Sequence, residues 1–230
     1  MAQGQDPRDG GSFDRARLRG LVVDGNDGIM ATAGIVEGFI GAGAATETIL
    51  VAAIAAMVAG AIAMGSAKYA EAAIERDATN ELIAEERRQL SLSPEEELAE
   101  LAAIYERRGL SPELARTVAA ELSAHDALAA HAEAEHDIAL DEAPISPLIV
   151  AVSAAGAFAI GSLIVLLSVV IAWSTWLPTT FFAVALSLSL TSVVVARWGN
   201  LPLWRTMART VGVGVAAMLI TFAIGSLIDQ

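Results

Sequence analysis

The sequence predicts an all-α integral membrane protein: five transmembrane helices, with an acidic cytoplasmic module of three helices inserted between helices 2 and 3. Three observations predict it. Long apolar windows flank a densely charged centre in a chain of 230 residues that is 55% hydrophobic, with a mean hydropathy of +0.56. That is the pattern of spans around a soluble insert, not of one globular core. The charged centre carries its own helix start and stop signals, and the Lys and Arg residues all fall on what five crossings make a single side.

Residues 1–20, MAQGQDPRDGGSFDRARLRG, are polar and rich in Gly and Asp. They lack the short apolar core and small-residue cleavage site of a signal peptide. The reading here is an irregular cytoplasmic tail ending in the basic run Arg15, Arg17 and Arg19.

Residues 21–69 hold the first two spans. The first, about Leu21–Ala44, contains VVDGNDGIMATAGIVEG, with Asp24, Asp27 and Glu37 but no Lys or Arg between Leu21 and Ala45. A charged carboxylate at mid-membrane costs roughly 2.5–3.5 kcal/mol on insertion scales, so acids kept there mark a pathway. The second span runs from Thr48 to about Ala67, and Gly60 and Gly65 give it a small-residue face for close helix packing. No proline occurs between Thr48 and Leu90. One helix of about 60 Å is therefore expected to leave the membrane as an arm carrying the module.

Within the module, residues 70–146, the arm Ala70–Leu90 is followed by Ser93-Pro94-Glu95-Glu96, an N-cap with Pro at the first helical position. A helix Pro94–Arg108 should end at Gly109, and Ser111-Pro112 should open another over Pro112–Leu140, with a break near Ala124. Residues 147–230 supply three further spans, Leu148–Ala172, Thr179–Ala196 and Val211–Leu227, each long enough to cross.

Orientation follows from basic residues. All 14 Lys and Arg lie in the N-terminal tail, in the module from Lys68 to Arg116, or at Arg197, Arg205 and Arg209 between spans 4 and 5. These regions are expected in the cytoplasm, with the C-terminus outside and Trp173 and Trp176 at the outer interface of a multi-pass inner (cytoplasmic) membrane protein.

Composition excludes several functions. With no cysteine, disulfides, thiolate metal sites and cysteine nucleophiles are out. The net charge of −13 is concentrated between Lys68 and Glu142, where 19 acidic residues face 7 basic ones. Such a surface repels nucleic acid and attracts cations. DGNDG lacks the strand-then-helix setting of a nucleotide loop, and no organic cofactor is expected.

Carboxylate and amide side chains share helix faces in the module: Glu86 with Gln89, Glu97 with Glu100, Glu133 with Asp137. The last helix also carries His125, His131 and His136. Glu133-x-x-His136 has the spacing found in carboxylate-bridged di-iron sites, where it is normally doubled. Converging carboxylate oxygens suit hard or borderline divalent cations, and imidazole adds affinity for iron or zinc.

Taken together, NDGIMATAGIVEG, AGAIAMGSAKYAEAAIERD, SPEEELAELAAIYERRGLSPELA and HAEAEHDI resemble the vacuolar iron transporter family in its bacterial, nodulin-21-like form, from about Arg17 to the C-terminus. The resemblance implies five spans, a metal-binding module between the second and third, a homodimer, and export of Fe²⁺ and other divalent metals (Mn²⁺, Co²⁺, Zn²⁺) in exchange for protons. It places the transport carboxylate at Asp27 and a soft ligand at Met64. Module ligands fall on Glu86, Gln89, Glu97 and Glu100, and on Glu133, Ala134 and Asp137. Gln89 and Ala134 are poor ligands, which leaves Glu85 and His136 as the nearest substitutes. Asp24 is expected near the inner surface, guiding cations, and Glu37 toward the outside, relaying protons or ions or facing a hydrated vestibule. Two alternatives stay open: a membrane-anchored ferroxidase or iron buffer, and an uncoupled cation channel.

Overall fold

The computed structural model describes residues 9–140, 144–171 and 176–228, without the side chains of residues 9–14 and 176–178. Arg8, Ala172, Trp173 and the last two residues lie outside this set, as does the side chain of Trp176. The described residues form seven helices: α1 Asp9–Gly41, α2 Thr46–Leu92, α3 Pro94–Arg107, α4 Pro112–His136, α5 Pro147–Ile171, α6 Trp176–Gly199 and α7 Leu203–Ile228. They divide into two compact units, residues 70–147 and the remainder on either side. The 47-residue α2, free of proline and of internal breaks, contributes to both.

In the first unit, α2, α5, α6 and α7 are long and apolar enough to cross a membrane. By that measure α1 is not a fifth such helix. It is 33 residues long, but Asp24, Asn26, Asp27, Glu37 and its glycines dilute the apolar run. Its start also differs from expectation: residues 9–20 continue the helix rather than forming an irregular tail. DRARLR consists largely of good helix formers, and no proline follows Pro7 to break the helix, although Gly10, Gly11 and Gly20 weaken it.

The core of this unit is made by Ile29, Ala33 and Val36 of α1, Ile49 and Ala53 of α2, Val165 and Val169 of α5, Val184 and Leu188 of α6, and Met218 of α7. Glycines let backbones touch. A Cβ built at Gly28 would sit 2.1 Å from the Phe158 carbonyl oxygen of α5, and one at Gly225 would sit 1.9 Å from the Gly38 carbonyl oxygen of α1. Ser162 Oγ of α5 donates to the Gly28 carbonyl across that contact at 3.2 Å. Most other span hydroxyls bond their own helix, as Ser192 Oγ does to Leu188 O at 2.6 Å. A hydroxyl turned back on its own helix leaves no donor stranded in an apolar environment.

The second unit packs α3 on α4 through Leu101, Ala102, Ala119 and Ala130, with Leu98 and Tyr105 at the margin. Ser93 and Ser111 occupy the predicted N-cap positions, but their side chains make no capping bond; the Ser93 carbonyl instead accepts from the N–H of Glu96 and of Glu97, both at 3.0 Å. Gly109 terminates α3 at φ 103°, a left-handed conformation that costs glycine nothing. The break expected near Ala124 falls at Asp126 (φ −157°, ψ 97°), whose Oδ1 accepts from Ala129 N–H at 3.0 Å and so caps a second helical segment. That segment ends at Asp137, whose left-handed φ of 57° lets the Ile138 N–H reach the Ala132 carbonyl at 3.0 Å.

Candidate metal centre

Three helices of the second unit bring four side chains together. Glu86 lies on the module half of α2. Glu97 sits in the first turn of α3, where the helix dipole favours acids. His131 and Glu135 are one turn apart on the segment of α4 that begins after Asp126. One ligand atom from each of these four lies within 4.8 Å of the others.

The imidazole is the hub. His131 Nδ1 lies 2.9 Å from Glu135 Oε1, 3.1 Å from Glu86 Oε1 and 3.7 Å from Glu97 Oε2. One nitrogen cannot satisfy three carboxylates. Its aligned hydrogen bond goes to Glu135, which leaves Glu86 Oε1 buried without a hydrogen-bond partner, and Nε2 of His131 is likewise buried and unpartnered. His131 is 0% exposed, Glu86 3% and Glu97 7%.

Desolvation raises the carboxyl of Glu86 above its ordinary range, and the charges of Glu135 and Glu97 add to this while His131 opposes it. Burial likewise raises Glu97, with His131 again opposing and Glu100 and Glu135 adding. Three acids crowded on one imidazole, with orphaned acceptors, form a site whose charge a divalent cation would neutralise. Three carboxylates and an imidazole nitrogen match the preference of iron, manganese or zinc more closely than that of magnesium.

Of the module residues read from sequence, Glu86 and Glu97 belong to this group. Gln89 donates to Glu85 Oε1 at 3.1 Å, and Glu85 is paired with Arg88, so both are occupied away from it. Glu100, Glu133 and Asp137 are exposed, and the Asp137 backbone forms the helix stop. His136 Nε2 comes only to 4.0 Å of Glu135 Oε2. The two candidate ligands that sequence reasoning missed are His131 and Glu135. The available signal was their spacing of four residues within AAHAEAEH, the same spacing as Glu133 and Asp137 but on another face.

In the first unit, Asp27 and Met64 are half-buried and Asp24 is buried. The sequence places no basic residue beside Asp27, but Lys68 of α2 lies within its electrostatic reach. Asp24 and Lys68 each have a polar or charged partner. Glu37 is 0% exposed, and neither of its carboxylate oxygens has a hydrogen-bond partner among the described residues.

Four helices able to cross a bilayer, a further helix bearing three buried or half-buried acids, and a helical unit with a carboxylate–imidazole cluster define a multi-pass membrane protein with a built candidate site for a divalent cation. The chain belongs to the VIT family, whose profile matches residues 18–226. It is 31% identical over 217 residues to a protein named vacuolar iron transporter from Acanthamoeba castellanii, covering 91% of this chain and 78% of that one. It is also 33% identical over 95 residues to vacuolar iron transporter 1 of Arabidopsis thaliana, covering 41% of this chain and 38% of that protein. A match to vacuolar iron transporter 2 of Oryza sativa subsp. japonica is 31% identical over 96 residues, or 42% of this chain and 39% of the relative.

Proposed function

We propose that this protein transports Fe²⁺ and related divalent metals out of the cytoplasm in exchange for protons, with the module capturing the ion first. The observation that carries this reading is the convergence of Glu86, Glu97, His131 and Glu135 in a family whose relatives are named iron transporters. In this reading α1 is the fifth span. Asp24 and Asp27, which with Glu37 lower its apolarity, line the metal pathway of a homodimer in the cytoplasmic membrane, with the module and N-terminus inside and the C-terminus outside.

Each part has a chemical task. The module's anionic cluster collects cations from the cytoplasm, and its imidazole favours borderline metals over Mg²⁺ and Ca²⁺. Carboxylates bind metal only when deprotonated, so acidification releases the ion. Asp27 then binds the ion within the membrane, Met64 adds a thioether, and Asp24 draws cations toward the entrance. Lys68, within electrostatic reach of Asp27, is a positive charge that an arriving cation must displace from the carboxylate.

The test is Fe²⁺ flux into proteoliposomes under an imposed pH gradient. Wild type should accumulate metal in response to the gradient, and Asp27→Asn should abolish the flux. Metal flux indifferent to the gradient would make the protein a channel. Oxygen consumption with Fe²⁺ and no metal flux would make it a ferroxidase.

A further inference from the structure

Glu37 lies in the outer half of α1, ten residues or about 15 Å along the helix from Asp27. It is fully enclosed by protein, and both its oxygens lack hydrogen-bond partners among the described residues. On its own helix Val36 and Ala33 are also completely buried, and both sit in the core with Ile49, Val165, Val184 and Met218. The seam beside it is closed by backbone contact: Gly38 and Gly41 of α1 meet Thr221, Phe222 and Gly225 of α7.

Among the described residues no charged group compensates for it. The apolar stretch of α5 carries no titratable residue, Arg197 is in the last turn of α6, and Arg205 and Arg209 are in the first two turns of α7. Those basic residues lie at the opposite end of the bundle, where Gly199 comes up against the Arg19 guanidinium. Lys68, Asp24 and Asp27 belong to that half as well, and Glu47 at the start of α2 is exposed.

An ionised carboxylate in this position would be a buried charge without a counter-ion, at an effective cost of several kcal/mol. A divalent metal would need further ligands. Among the described residues, no group of three or more acids and histidines converges outside the module. A proton needs only the one carboxyl oxygen. In this closed state the side chain is therefore a neutral acid, and it can ionise only when the α1–α7 seam admits water.

We infer that Glu37 is a proton-carrying site of the transport cycle, separate from the metal's own ligands, loading its proton from the outside and holding it while the seam is closed. The inference rests on the proton-exchange reading above and names the group that carries the exchanged proton. The step is a plain protonation: a carboxylate oxygen takes a proton from water on one side and returns it to water when next exposed.

The test uses the full chain in proteoliposomes, with Mn²⁺ as the transported probe, and compares wild type with Glu37→Gln and the apolar Glu37→Met. In parallel, infrared spectra are recorded for the carbonyl stretch of a buried protonated carboxylic acid. The expected result is that both variants still move Mn²⁺ down its gradient but lose accumulation driven by the pH gradient, and that the infrared band of wild type is missing from both. Variants coupled to the gradient as wild type is, or a band that persists in both, would overturn the inference while leaving the exchange reading intact. A wild type that ignores the gradient would overturn the exchange reading, and this inference with it.

Discussion

His131 Nδ1 stands 2.9 Å from Glu135 Oε1, one turn along α4, and the same nitrogen faces Glu86 of α2 at 3.1 Å. A buried imidazole is thus the meeting point of acids from three helices, and the proposed metal capture by the module turns on it.

Replacing that imidazole should weaken metal binding strongly. Altering a partner outside the ligand shell typically costs about 10–100-fold in affinity, and loss of a ligand should exceed that. Titration of the full chain with Mn²⁺ should show His131→Gln and Glu135→Gln losing affinity by at least this margin. Glu133→Gln, Asp137→Asn and Gln89→Ala should bind as wild type does, because those side chains are exposed or bonded elsewhere.

The raised carboxyls give a pH dependence of defined sign. Glu86 and Glu97 are shifted up from 4.5 by desolvation. The folded state therefore holds their protons more tightly than the unfolded chain does. Their contribution to stability is complete below the unfolded value and is lost as pH rises through the folded one. Without metal, Glu86→Gln should melt at a higher temperature than wild type at neutral pH, and the gap should close as pH falls toward 4.5. Adding Mn²⁺ at neutral pH should raise the wild-type Tm and leave the variant's largely unchanged.

Helix contacts in the membrane unit make a third prediction. Gly28→Ala and Gly161→Ala each put a Cβ within about 2 Å of a facing carbonyl oxygen, Phe158 O and Gly25 O respectively. Forcing the backbones apart should cost about 1–3 kcal/mol, read as a lower Tm in detergent. Gly212→Ala and Gly156→Ala meet nothing within 4 Å and should be neutral, or stabilising by up to about 1 kcal/mol through helix propensity.

Much of this architecture was legible in the sequence because hydropathy runs and turn residues act locally. The runs beginning at Thr48, Leu148, Thr179 and Val211, the stop at Gly109 and the restart at Pro112 each depend only on neighbouring residues. The span expected at α1 is not carried by its apolarity, since the acids that suggest a function also reduce it. The ligand register depended on a feature that periodicity cannot carry. Asp126 breaks α4, so the face set by Ala115 and Ala119 does not extend to the second segment. Moving from Glu133 and Asp137 to His131 and Glu135 is a step of two residues, about 200° around a helix, and it exchanges an exposed face for the buried one. Lys68 beside Asp27 depends on the pairing of α1 with α2, which no local pattern encodes.

The most direct test of the central claim is X-ray absorption at the iron edge on the full chain loaded with one equivalent of Fe²⁺. The account predicts an oxygen-rich shell with a single imidazole nitrogen, whose multiple-scattering signature disappears in His131→Gln and persists in His136→Gln. A shell without imidazole, or one whose imidazole survives His131→Gln and is lost in His136→Gln, would contradict it.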